Sequence, residues 1–362
     1  MASSSSFRLQ LAAYKQVIDV DITTYSKQLL KATHKHYGRW PAETEADIFL
    51  DMLSRGGKRI RAVLVMVGYE MCGGTDRRMI AQAARAIEMF HAYILMIDDV
   101  QDRSSLRRGK PTAHELAAAY HRKHKLKGDP HHAGISLALN AALAGAHEAQ
   151  DILVNLDADP QLRLRVLGMV NRTMVVTAHG QACDIMNELV EAPSQKDAER
   201  VLEWKTAQYT IINPLQVGMV LAGADDRTIQ AVTPYGQHLG KAFQITDDIL
   251  GVYGDEKTVG KAPGEDIREG KGTLLMLNAL RLSDPGDKAF LQKCLGNSDV
   301  TGADLEVCKR IIIACGALEK MRQEVHGHVE QAMQTLGGIE LWTPEGTMFL
   351  RELALFLQDR LA

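Results

Sequence analysis

Residues 80–102 read IAQAARAIEMFHAYILMIDDVQD, and their period decides the fold class. Ile80, Ala83, Ile87, Phe90, Ile94 and Ile97 recur at the three- and four-residue spacing of one helix face. The same period runs through 162–185, 215–222 and 311–333. Alternating β-branched runs bounded by turns are missing. This pattern predicts an all-α chain of many helices. Breaks fall at 73–74, 128–130, 157–160, 193, 254–272 and 283–286, where Gly, Pro and Asp gather. None has the make-up of a flexible interdomain linker. A single large helical domain is therefore expected over 7–362, after a disordered lead-in at 1–6. The segment 254–272 is too long for a plain turn, and loops of that size in compact domains are usually functional or disordered.

Of 362 residues, 42 are Lys or Arg and 45 Asp or Glu, a net charge of −3 that argues against a nucleic-acid binder. The hydrophobic share of 46% is that of a chain with a core, not a disordered one. Five scattered cysteines form no CxxC pair, so neither a zinc ribbon nor a disulfide framework is expected, and a reducing cytoplasm is the simplest setting. The Ser-rich start lacks the basic and apolar runs of a signal peptide. No uncharged apolar run reaches 18 residues, so no transmembrane segment is expected.

The helix that opens the argument ends in three aspartates. Asp98 and Asp102 are four residues apart and share a face, with Asp99 beside them. Carboxylates repel one another and are disfavoured at the negative end of a helix, so a positive charge should offset them. Taken alone, the run is as readily a solvated acidic end as a metal site. Clustered hard oxygen donors suit Mg²⁺, which keeps waters and bridges to phosphates. A second pair, Asp247-Asp248 in FQITDDILG (243–251), strengthens the metal reading. Facing each other, the two pairs would hold Mg²⁺ ions and a diphosphate between them.

Cations accompany both. Arg55, Lys58, Arg59 and Arg61 lie in SRGGKRIR (54–61), whose simplest isolated reading is a solvated basic turn. Gly56-Gly57 would let backbone approach a phosphate closely. Neither this run nor 254–261 is a P-loop. RRGKPT (107–112) adds a second cationic cluster, and arginine suits bidentate phosphate contact. Two acidic and two cationic clusters imply two phosphorylated substrates.

GGKRIR (56–61), DDVQD (98–102), RRGKPT, Lys205-Thr206, FQITDDILG and GKAPGEDIREGKGTL (260–274) stand in the order found in trans-isoprenyl diphosphate synthases, which the chain resembles over roughly 53–273. The resemblance implies an all-α domain around a deep central cavity, a homodimer, and a transferase joining an allylic diphosphate to isopentenyl diphosphate head to tail. It implies up to three Mg²⁺ ions, held by Asp98, Asp99 and Asp102 on one side and Asp247 and Asp248 on the other. Arg107, Lys205, Lys261 and Lys271 would bind the allylic diphosphate. Lys58, Arg61, His91 and Arg108 would bind isopentenyl diphosphate. Thr206 and Gln244, with Lys205, would line the reacting centre. Without that context His91 reads as an ordinary core histidine, two turns before Asp98 on the same face.

In this family, bulk just before the first aspartate run blocks the growing chain. Tyr93 and Ile94 stand five and four residues before Asp98, and DDVQD has no insertion. That pattern resembles the archaeal and actinobacterial type of geranylgeranyl diphosphate synthase. A farnesyl product stays open through added bulk from Phe90, a geranylfarnesyl product is a further alternative, and Tyr93 is also readable as core packing. Three departures stand out. Ile97 replaces a common His. Gly251 stands where many members have a third aspartate, so weaker metal binding is expected there. The resemblance gives no account of the basic, His-rich stretch 122–132. The close pairs His34/His36, His131/His132 and His326/His328 read as surface histidines, not zinc ligands.

Three rivals remain. A class I terpene cyclase would carry an Asn/Asp–Ser/Thr–Glu motif in place of Asp247-Asp248. A non-catalytic subunit would lose aspartates that this chain keeps. A di-iron bundle needs two Glu-x-x-His motifs, and Glu88–His91 is a single one.

Overall fold

Asp76 ends the turn at Gly73-Gly74 and starts the long helix that the apolar period predicts. Its carboxylate accepts from the N–H groups of Arg78 and Met79, two of the donors a helix leaves orphaned at its start. The computed structural model describes residues 2–190, 193–254, 264–337 and 341–360. Apart from one short hairpin, the described elements are helical, so the fold is all-α. The chain forms two compact units, Met1–Gly168 with Val217–Gly223, and Met169–Gln216 with Ala224–Ala362. Among the described residues, no helix is long and apolar enough to cross a membrane.

In chain order the elements are α1 (Ala2–Tyr37), α2 (Arg39–Pro41), a π-helical turn (Ala42–Ala46), α3 (Asp47–Ser54), α4 (Ile60–Met71) and α5 (Arg77–Gln101). The hairpin β1 (Leu106–Arg107) and β2 (Lys110–Pro111) follows, then α6 (Ala113–Lys123), α7 (Pro130–Val154) and α8 (Pro160–Leu189). Next come α9 (Gln195–Val201), a π-helical stretch (Leu202–Ile212), α10 (Asn213–Leu221), α11 (Asp226–Gln230) and α12 (Thr233–Tyr253). In the first unit, α5 and α6 pack along α7, whose buried face is small: Ala138, Ala141, Ala142, Gly145 and Ala149. A Cβ at Gly145 would overlap the Phe49 ring of α3, so only glycine admits this approach. In the second unit, α12 packs on the π-helical stretch and on the helix Ala317–Thr335. A Cβ on Gly240 would overlap Ala207, which brings α12 against Leu202–Ile212.

Two expectations change in detail. The periodic run 311–333 is not one helix. It breaks at Gly316, whose φ of 81° ends Gly302–Ala314 and opens Ala317–Thr335. Part of 254–272 is a short helix, Glu265–Glu269, bracketed by Gly264 and Gly270 at positive φ. Lys261 lies outside the described residues.

Candidate active site

In the first unit the aspartate run sits at the end of α5, with Asp102 as its C-cap. Asp99 is fully buried and Asp98 mostly so. The positive charge demanded by the sequence is Arg107. The hairpin turns through Arg108 and Gly109, both at positive φ (55° and 70°), as a tight two-residue turn requires. This returns Arg107 to the aspartates, with Nη2 2.5 Å from Asp99 and 3.1 Å from Asp98. Burial opposes the Arg107 charge, but Asp99 and Asp98 outweigh it and hold its pKa above the ordinary arginine value.

The GGKRIR loop supplies the cationic side. Gly56 and Gly57 have φ of 79° and 120°. Arg108 donates to Gly56 O and lies where a Cβ of Gly57 would stand. Arg61 Nη1 lies 3.3 Å from His91 Nε2. Burial, then the charges of Arg61, Arg108, Arg107 and Arg59, keep the His91 pKa well below its usual value, so the imidazole is neutral. Burial and the neighbouring Arg59 bring Arg108 down to about 10. Such a concentration of positive charge suits an anion. Lys58 is exposed at its edge. Arg55 and Arg59, by contrast, have structural roles. Arg55 pairs with Asp51 and donates to Pro111 O at 2.5 Å, tying α3 to the hairpin. Arg59 is buried against Glu88 at 3.1 Å and reaches Asp19 at 3.0 Å.

In the second unit, three residues from the expected set form a chain. Thr206 Oγ1 donates to Gln244 Oε1 at 2.5 Å, and Gln244 Nε2 donates to Asp248 Oδ1 at 2.8 Å. Gln244 and Asp248 are one turn apart on α12. Thr206 comes from the π-helical stretch, a geometry often found at functional sites. Lys205 pairs with Asp184 at 2.7 Å and Lys271 with Glu188 at 2.7 Å. Asp247 meets Arg360 at 3.1 Å. Burial, then the charges of Asp266, Asp184 and Asp247, raise Asp248 well above the carboxylate range, against the pull of Gln244.

These donors fit Mg²⁺ by chemistry: hard carboxylate oxygens, in a cluster whose mutual repulsion a cation relieves. Among the described residues, no three His, Cys, Asp or Glu side chains form a ready-made metal cage. Mg²⁺ usually needs none, being held by one or two carboxylates plus substrate phosphates.

The partners Glu88, Asp184, Glu188, Asp266 and Arg360 were missed by sequence reasoning. Asp184 and Glu188 did leave a signal, an i, i+4 acidic pair on a long apolar helix. Of the chain-length candidates, Phe90 is buried in the core, while Tyr93 and Ile94 are only half-buried. In 122–132, His121 contacts Lys127 O at 3.0 Å and Asp129 caps α7, so part of that stretch shapes a turn. His328 is not a simple surface residue: it is half-buried 3.3 Å from His238.

The polyprenyl synthetase family model matches residues 43–312. A geranylgeranyl diphosphate synthase of Saccharolobus solfataricus is 31% identical over 81% of this chain and 84% of its own. A short chain isoprenyl diphosphate synthase of Methanocaldococcus jannaschii is 33% identical over 72% of this chain and 74% of its own. Among solved structures, a geranylgeranyl pyrophosphate synthase of Corynebacterium glutamicum, complexed with isoprenyl diphosphate and magnesium, is similar with a TM-score of 0.89 and 30% identity, covering 96% of this chain and 98% of that one.

Proposed function

The chain belongs to the polyprenyl synthetase family and is a prenyltransferase, and from that premise we propose that it condenses allylic diphosphates with isopentenyl diphosphate to give geranylgeranyl diphosphate. The observation that carries this reading is the pairing, in one unit, of the Asp98-Asp99-Asp102 run neutralised by Arg107 with the cationic pocket around neutral His91.

In this reading Asp98, Asp99, Asp102, Asp247 and Asp248 hold Mg²⁺, up to three ions. Bound Mg²⁺ would stabilise the negative charge that gathers on the departing diphosphate. Arg107, Lys205 and Lys271 bind that diphosphate, and Lys261 joins them by its place in the motif. To do so, Lys205 and Lys271 exchange Asp184 and Glu188 for phosphate oxygens. Lys58, Arg61 and Arg108 grip isopentenyl diphosphate, and His91, kept neutral, accepts from Arg61 and aims it. The allylic C–O bond then ionises, the isopentenyl double bond attacks, and a proton leaves to the released diphosphate. The oxygens of Thr206 and Gln244 face the developing cation with lone pairs.

Tyr93 and Ile94, half-buried one turn before Asp98, form the floor that stops growth at twenty carbons. Phe90 braces that floor from the core. Leu139 and Leu143, 41% and 54% exposed on one face of α7, support a homodimer. The five free cysteines support a reducing, cytoplasmic setting.

The test is incubation with Mg²⁺, isopentenyl diphosphate and each allylic primer in turn, followed by mass analysis of the dephosphorylated alcohols. A dominant twenty-carbon alcohol is expected. A fifteen-carbon alcohol would move the floor upward, and a twenty-five-carbon one would move it down. Cyclic hydrocarbons, or no product with any primer, would overturn the reading.

A further inference from the structure

The basic stretch that the catalytic reading leaves unused meets a second one within the first unit. KATHKHYGRW (31–40), at the end of α1 and the turn after it, carries Lys31, Lys35 and Arg39 and no acid. YHRKHKLK (120–127), at the end of α6 and the turn after it, carries Arg122, Lys123, Lys125 and Lys127 and no acid. All of these cations are exposed. Glu43 joins the two runs: it receives Arg39 Nε at 2.8 Å and the Tyr120 hydroxyl at 2.7 Å. Glu43 offsets Arg39, and neither run holds an acid to offset the others. Large apolar side chains stand among these charges. Tyr37 and Trp40 are 74% and 56% exposed, and Leu126 is 38% exposed. The Arg39 guanidinium lies over the Trp40 ring at 5.6 Å, which keeps cation and indole side by side. The second turn is fixed by its own bonds: Leu126 N donates to His121 O at 3.2 Å, and His121 Nε2 lies 3.0 Å from Lys127 O. Cations favour the negative end of a helix. That accounts for Lys35 and Lys123 in the last turns of α1 and α6, but not for Lys125, Lys127 and the exposed apolar side chains.

We propose that this corner of the first unit docks on an anionic lipid bilayer, with Trp40 and Tyr37 seated at headgroup level and the lysines of the 122–127 turn on lipid phosphates. Charge complementarity carries the choice of partner: the chain is acidic overall, yet gathers its cations here without acids between them. Each Lys or Arg close to an anionic membrane adds an attraction that salt screens. Trp and Tyr, apolar rings with one polar edge, favour the membrane–water interface. A soluble polyanion would use the cations but leave Leu126 without an apolar partner. The chemistry of a prenyltransferase points the same way. Its product is an apolar chain on an anionic head, which a bilayer takes up, and an enzyme resting on that surface releases it there. This holds whatever the length of the product.

The test is sedimentation of the intact protein with vesicles of phosphatidylcholine alone, and of phosphatidylcholine mixed equally with phosphatidylglycerol. Binding is expected to the mixed vesicles at low salt, and its loss at ~1 M salt, where screening acts within ~3 Å. The triple variant Lys123→Gln/Lys125→Asn/Lys127→Gln removes three exposed charges, with Asn chosen for the left-handed φ of 51° at Lys125. Its partitioning onto mixed vesicles should fall about 100-fold. Its turnover on dissolved substrates and its melting temperature should stay level. Of the three tryptophans, Trp40 is exposed, Trp204 half-buried and Trp342 buried. Brominated lipid should therefore quench the native chain's tryptophan fluorescence and leave that of Trp40→Phe unchanged. No binding to mixed vesicles at low salt, undiminished binding of the triple variant, or quenching that survives Trp40→Phe would each overturn the proposal. Binding of a single-stranded RNA at low salt without binding of vesicles would overturn it too, and give the cations to a nucleic acid.

Discussion

Glu88 receives the Arg59 guanidinium at 3.1 Å in the core of the first unit, with both side chains about 97% shielded or more (3% and 2% exposed). Glu88 lies on α5, one turn before His91, and also accepts from Ala62 N at 3.3 Å. Arg59 holds the left-handed conformation, φ 54°, that turns the GGKRIR loop into α4. The pair therefore joins the loop carrying Lys58 and Arg61 to the helix carrying His91 and the aspartates. Glu88→Gln leaves Arg59 buried and only half compensated, for which a loss of about 3–5 kcal/mol is expected. A denaturant titration checks it, and a change under 1 kcal/mol would mean that Asp19 alone can hold Arg59.

Asp98→Asn removes one carboxylate of the first run while Asp99 keeps Arg107. Turnover at saturating substrate should drop by ~10²–10³, the scale of losing one transition-state stabiliser. The melting temperature should barely move, because Arg107 keeps its shorter contact, 2.5 Å, to Asp99. Unchanged turnover at high Mg²⁺ would remove Asp98 from the metal site.

The helical period, both aspartate runs and the cationic motifs were legible in the sequence because each is local. A face repeats every three or four residues, and Asp98 to Asp102 is one turn. What the sequence hid was pairing over distance. Nothing in RRGKPT says that Arg107 folds back on Asp99, since that depends on a two-residue turn with Arg108 at positive φ. Lys205 and Asp184 are 21 residues apart, and they meet because Gly180 lets α8 approach the backbone of Lys205. The break at Gly316 was missed for the opposite reason: the apolar period continues across it, and a single glycine in a helical pattern is no certain stop.

His328 and His238 bring their Nδ1 atoms to 3.3 Å where Ala317–Thr335 packs on α12. Burial, then His238 and Lys241, push the His328 pKa down to about 4, below the ~6.5 of a free histidine. Between those values the unfolded chain binds more protons, so stability falls as pH drops from about 6.5 toward 4. Melting temperatures across that range should fall more steeply for the native chain than for His328→Gln. Parallel curves would place the acid sensitivity elsewhere.

Lys58→Ala removes an exposed cation of the loop that also carries Arg61, the partner of His91. The KM for isopentenyl diphosphate should rise about tenfold, the ~1.5 kcal/mol lower bound for a hydrogen bond to a charged group. The KM for the allylic primer should change less than twofold, because Arg107, Lys205 and Lys271 are untouched. Steady-state kinetics with one substrate varied at a time separates the two. Equal increases in both would mean that the two cationic clusters serve one diphosphate, and the assignment of separate sites would fall.

Tyr93→Ala opens space beside the aspartate run without emptying the core, since Tyr93 is half-buried and the buried ring of Phe90 stays. The product should lengthen by one or more five-carbon units, read as heavier alcohols after dephosphorylation. Phe90→Ala is the contrasting variant. It removes a ring only 2% exposed, which should cost about 3–5 kcal/mol of stability. Its product should shift less than that of Tyr93→Ala in whatever fraction stays folded. If Tyr93→Ala leaves the alcohol unchanged and Phe90→Ala lengthens it, the floor lies one turn deeper on α5, and Tyr93 is packing.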